Sequence, residues 1–111
     1  MRVVLATLAV GFLFGGNAAA EPSAANGHML FVKVGCYQCH GYQGQGGGAG
    51  PRIAPDPLPF DGLAAFVRTT SGEMPPYTTT ILSDNDLADI YAYLQSIPHP
   101  PALADVPLLK Q

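Results

Sequence analysis

Apolar positions recur at helical spacing in three stretches of the chain. In "AANGHMLFVKV", residues 24–34, Gly27, Leu30, Phe31 and Val34 fall on one face. Ser23 precedes the stretch as a candidate N-cap and Gly35 follows as a stop. In "GLAAFVRT", residues 62–69, Leu63, Phe66 and Val67 form the apolar face, with Asp61 as the predicted N-cap. The third stretch, "SDNDLADIYAYLQSI" over 83–97, is the most regular. Leu87, Ile90, Leu94 and Ile97 repeat at 3-4-3 spacing, Ser83 opens a capping turn, and Pro98 ends the helix. No stretch alternates apolar and polar residues as a half-buried strand does. The pattern therefore predicts an all-α chain of three or more helices.

What lies between the helices is different in kind. Residues 41–60, "GYQGQGGGAGPRIAPDPLPF", are too rich in Gly and Pro for regular structure. A linker there would cut a small chain into pieces too short to fold. The expectation is a loop whose backbone runs tightly past a bulky object, where Cβ atoms would clash. The tail from Pro98 onward, "PHPPALADVPLLKQ", reads as extended and surface-laid or frayed.

Residues 1–20 follow none of these patterns. Arg2 is the one charge, Val3 to Phe14 is apolar apart from Thr7 and Gly11, and three alanines end at Ala20. This order predicts a secretory leader cut before Glu21 and an exported, periplasmic protein. The alternative is retention as an anchor, for which the apolar run is shorter than the roughly 20 residues a bilayer requires. Residues 21–98 then form one domain and 99–111 a Pro-rich tail.

Charge narrows the partners. Residues 21–111 hold four basic and eight acidic side chains, a net charge of about −4. An acidic domain lacks the basic face that nucleic acid requires. Such a small domain with no Trp also builds a thin core, which a large apolar cofactor would supplement.

Both cysteines fall in "GCYQCHGY", residues 35–42. A redox dithiol uses C-x-x-C at the start of a helix in a strand-bearing fold. Here the motif follows a helix, and no strands are predicted. A zinc site needs about four N or S ligands, and no second C-x-x-C or H-x-x-x-H is present. A plain disulfide leaves the adjacent His40 without a role. C-x-x-C-H is the attachment pattern for c-type haem. Cys36 and Cys39 would form two thioethers to one haem, and His40 would bind its iron. A second axial ligand must come from Met29, Met74, His28 or His99. Met29 and His28 sit on the helix immediately before the clamp, and His99 lies in the tail. Met74, in "SGEMPPY" between two helices and stiffened by Pro75 and Pro76, is the candidate.

With these motifs in this order, the chain resembles a class I bacterial cytochrome c: small, monohaem and His/Met-ligated. "GHMLFVKVGCYQCHG", "GPRI", "GEMPPY" and "DLADIYAYLQSI" resemble that family's first helix and clamp, Gly-Pro segment, methionine loop and last helix. The resemblance implies a small cytochrome c fold wrapped around one covalently bound haem c, with N- and C-terminal helices crossing. It implies that Pro51 accepts the N–H of His40, and that Ile53, Phe66 and Tyr77 pack on the haem. Gly27 and Phe31 would meet Ile90 and Tyr93, and Arg52 would either pair with a propionate or stand solvated.

The implied function is one-electron transfer between redox proteins, a dehydrogenase and an oxidase or reductase, with no small-molecule substrate. A subunit dedicated to a periplasmic dehydrogenase is an alternative. A haem sensor or peroxidase is another, if Met74 is not a ligand. The sequence departs from the mitochondrial members in two ways. His40 and Met74 are only 34 positions apart, and the lysine-rich docking ring is missing. Their oxidase partner therefore does not carry over.

Overall fold

The structure is a computed structural model that describes residues 20–109. The expected leader over 1–20 lies outside the described residues except for Ala20, as do Lys110 and Gln111. Among the described residues there are helices and no strands. They are α1 (Ala24–Lys33), α2 (Tyr37–His40), α3 (Phe60–Thr69) and α4 (Asp84–Ser96), followed by 3-10 turns at Leu103–Asp105 and Pro107–Leu109. No described helix is long and apolar enough to cross a membrane.

The caps explain where α1 and α4 begin. The Ser23 hydroxyl accepts from Asn26 N–H at 3.2 Å, and the Ser83 hydroxyl from Asp86 N–H at 3.1 Å. Each satisfies a first-turn amide that has no partner inside its own helix. Asp84 and Asp86 add negative charge at the positive end of α4.

α3 starts two residues before the expected place. Its cap is Pro59, not Asp61, and the Pro59 carbonyl accepts from Leu63 N–H at 3.0 Å. The cause is tertiary. Phe60 packs edge-on against Tyr91 of α4, with ring centroids 5.4 Å apart, and is drawn into the helix. Asp61 becomes an exposed first-turn acid.

α1 lies against α4. Gly27 is buried at the closest approach, where a Cβ would fall onto the Asp89 carbonyl and 2.9 Å from Ile90 N. Phe31, 1% exposed, meets Tyr93 at 5.6 Å between ring centroids, and His28 stacks on the same tyrosine at 4.7 Å. The core joins Phe31 to Leu63 and Val67 of α3, Leu82, and Leu87, Ile90 and Leu94 of α4.

Asp89 ties the edge of this contact. Its carboxylate accepts from Asn26 Nδ2 at 2.7 Å and from Ser23 N–H at 2.6 Å. These two bonds, the Asn26 one foremost, hold its carboxyl below the ordinary carboxylate value. A carboxyl depressed on folding stabilises the fold above its unfolded value of 3.8, and the contribution is lost as pH falls through the lower folded value. Asp89→Asn is therefore expected to lower the urea midpoint at pH 7. The deficit should close in acid, where Asp89 is protonated. Midpoints measured from neutral pH into acid check this, and a deficit constant with pH contradicts it.

The tail departs from the extended reading by forming two 3-10 turns. It exposes Leu103, Leu108 and Leu109.

Candidate functional site

The fold encloses a cavity of about 390 Å³, with walls contributed by every helix from α1 to α4 and by both long loops. Phe31, Leu63, Val67, Leu82, Leu87, Ile90 and Leu94 make the apolar wall. Cys36, Cys39 and His40 reach it from the clamp, and Pro51, Arg52 and Ile53 from the Gly-rich loop. Phe66 comes from α3, and Met74 and Tyr77 from the loop before α4. Cys36, Cys39, His40, Pro51, Arg52, Ile53, Phe66, Met74 and Tyr77, singled out in the sequence, thus line one cavity. Met29, His28 and His99 do not line it.

The motif GCYQCH is folded as a turn followed by the single-turn helix α2. His40 N–H donates to the Cys36 carbonyl at 3.1 Å, which brings both ends of the motif together. His40 is 8% exposed, the one buried polar residue among the described residues. Its Nδ1 lies 2.8 Å from the Pro51 carbonyl. A carbonyl only accepts, so Nδ1 carries the proton and Nε2 is left with the free lone pair. That tautomer suits a metal ligand, and the carbonyl partner fixes the orientation of the ring.

The Gly-rich loop delivers Pro51 by folding back on the clamp. Gly46 N–H donates to the His40 carbonyl at 2.8 Å, and the Gly44 carbonyl accepts from Ile53 N–H at 2.8 Å. Two glycines of this loop also lie close to the chain itself. A Cβ at Gly46, whose φ is +87°, would lie 2.7 Å from Arg52 N, and one at Gly50 would lie 2.9 Å from the Cys39 carbonyl. Gly46 and Gly50 are required by close approach of the chain to itself, and Gly50 also lines the cavity.

Both thiols are free and half-buried. Burial pushes the Cys36 thiol up to about 11, with the neighbouring Cys39 adding to the rise and a backbone hydrogen bond opposing it. A redox dithiol works through a thiolate stabilised near neutral pH. Cys36 is shifted the other way, which weighs against dithiol exchange chemistry. Tyr77 is also raised, by burial first and by its nearness to the two cysteines second.

A family profile described as cytochrome c oxidase, cbb3-type, subunit III matches residues 22–94. The chain belongs to this family. It is a c-type cytochrome domain, which implies haem c binding and electron transfer with redox-protein partners. Among curated proteins and among solved structures, no match was found. The donor set fits the group this family binds: two thiols, an imidazole with Nε2 free and a thioether line one largely apolar cavity.

Some lining residues had no recognised signal in the sequence. Leu63, Val67, Leu87, Ile90 and Leu94 were legible as apolar helix faces, but nothing in their spacing separates a core from a cofactor wall. Asp56 and Leu58 lie in the Pro-rich segment, where no periodicity operates. Arg52 is exposed at the cavity. Tyr42, 58% exposed, stacks on Tyr37 at 4.6 Å and is not part of the lining. His99 is a solvated histidine, 3.5 Å from the exposed Asp56 carboxylate, a pair of little energetic weight.

Proposed function

We propose that the chain is an exported class I cytochrome c carrying a single covalent haem c, and that it shuttles one electron at a time between redox proteins. When bound, the haem supplies a reversible Fe(III)/Fe(II) couple. Cys36 and Cys39 would hold it through two thioethers, each thiol S–H adding across one vinyl group. His40 Nε2 and the Met74 thioether would hold the iron. His40 is kept in register by the Pro51 carbonyl, and the apolar wall keeps water out and the local dielectric low. Methionine ligation and low dielectric both raise the reduction potential. With His40 and Met74 both committed to the iron, the residues would act as a holder and insulator rather than as a substrate site.

One observation carries this reading: Cys36, Cys39, His40 and Met74 converge on a single cavity with an apolar wall. Absorption spectra of the exported protein test it. Sharp low-spin bands that survive acid–acetone extraction, with a weak far-red ferric band, are expected. Met74→Ala should keep the covalent haem, lose the far-red band and lower the midpoint potential. An unchanged potential in that variant removes Met74 from the iron and favours the sensor or peroxidase alternative. Export with cleavage before Glu21 is supported by the leader pattern of residues 1–20. An intact mass beginning at Glu21 is the expected outcome.

A second partner reading is favoured by the family description, which names an oxidase subunit. In that reading the domain works docked to a larger redox complex, a terminal oxidase or a periplasmic dehydrogenase, rather than as a free shuttle. Stable co-purification from native membranes or periplasm supports the docked form, and a monomer exchanging electrons freely with several acceptors opposes it.

A further inference from the structure

Met74 sits in a segment with little means of holding itself. Residues 70–83 join α3 to α4 without regular structure. Pro75 and Pro76 follow the methionine directly and have no N–H to donate. The first amide after Met74 is that of Tyr77, and all three polar groups of this residue are engaged, each with a different partner. Its N–H donates to the Val67 carbonyl at 2.9 Å, and its hydroxyl to the Val34 carbonyl at 3.0 Å, just before the clamp. Its carbonyl accepts from Arg68 Nη1 at 2.8 Å.

Arg68 does not stop there. Its Nη2 pairs with Asp84 Oδ1 at 2.8 Å, at the first turn of α4. The arginine side chain is 18% exposed, whereas the aspartate is 78% exposed. One planar guanidinium thus joins the end of α3, the end of the methionine segment and the start of α4. The fork reaches two acceptors at once, which a single ammonium on a flexible stem does not reproduce.

We propose that Arg68 is a positioning residue for Met74: by bracing Tyr77 against α3 and α4 it sets how firmly the methionine is held on the iron. The inference rests on the reading of Met74 as an axial ligand. Arg68 does not line the cavity and acts through the backbone of Tyr77. A thioether–iron bond is weak, so a loosened segment releases it before the fold as a whole gives way.

The test uses the haem-loaded full chain with Arg68→Ala, Arg68→Lys and Met74→Ala beside the parent. Carbon monoxide binding to the ferrous protein reads release of the sixth ligand. Hydrogen exchange at the Tyr77 amide reads the brace without reference to the haem. Arg68→Ala is expected to raise both the carbon monoxide binding rate and Tyr77 exchange about tenfold, the factor that one charge-assisted hydrogen bond represents. Global unfolding should lose no more than the same free energy. Arg68→Lys should fall between Arg68→Ala and the parent.

Parent-like carbon monoxide binding and exchange in Arg68→Ala overturn the brace, provided Met74→Ala binds carbon monoxide readily. If Met74→Ala itself behaves as the parent, the ligand reading fails and takes the brace with it. Should Arg68→Ala not fold, Arg68→Lys and Asp84→Asn are read by the same two signals. Parent values in both again overturn the proposal.

Discussion

His40→Ala is expected to abolish the low-spin haem spectrum in whatever protein retains haem, and added imidazole is expected to restore it in part. Two losses combine in this substitution. The first is chemical: the ring nitrogen left unprotonated by the 2.8 Å contact between Nδ1 and the Pro51 carbonyl is removed from the cavity. The second is structural, because the Pro51 carbonyl loses the side chain it holds in register; Pro51 is exposed, so water takes the vacated place at small cost. Pro51→Ala separates the carbonyl from the side chain that carries it, since it keeps the acceptor and removes only the pyrrolidine ring. That variant should retain the parent spectrum. Free imidazole replaces the ligand without replacing the tether, so its rescue should need high concentration. Sharp low-spin bands in His40→Ala without imidazole would remove His40 from the iron.

The sequence is most informative where a rare chemical type meets a short spacing. Two thiols, an imidazole and a stiffened thioether are uncommon enough that their order along the chain points to one cavity before any packing is known. Helix starts are legible where the cap is local, at Ser23 and Ser83, because a hydroxyl bonded three residues ahead needs nothing from the rest of the molecule. The start of α3 is not legible, because Phe60 joins the helix for a partner on α4 far along the chain, Tyr91. Helix α2 escapes because its four residues are fewer than any periodic signal requires. In the Gly-rich loop, composition shows that Cβ atoms are unwelcome, but it does not name the neighbour. At Gly46 and Gly50 that neighbour is the loop's own backbone and Cys39. The three anchors of Tyr77 are beyond reach for the same reason: each bond depends on how separate segments pack, and no local pattern marks it.

Gly27→Ala and Gly62→Ala are expected to change stability in opposite directions, although both place the same residue in a helix. Alanine at a free helical position gains roughly 0.5–1 kcal/mol over glycine. Gly62, near the start of α3, has no atom within 4 Å of where its Cβ would stand, so that gain should be realised in full. At Gly27 the added Cβ would fall onto the Asp89 carbonyl and 2.9 Å from Ile90 N. Both atoms are helix backbone, and neither can swing aside as a side-chain end does. α1 must therefore lift from α4. The shift would open the packing of Phe31 on Tyr93 and strain the bonds from Ser23 and Asn26 to Asp89. Overpacking of this kind costs about 1–3 kcal/mol and occasionally more. With backbone on both sides the upper end applies, which outweighs the propensity gain. A net loss of about 2 kcal/mol corresponds to roughly 10 °C in melting temperature for a domain of this size. Thermal unfolding of the two haem-loaded variants by circular dichroism measures the difference directly. A Gly27→Ala protein as stable as the parent would mean that α1 and α4 do not meet at this glycine. The cavity wall formed by Phe31 and Ile90 would then have to be assembled differently.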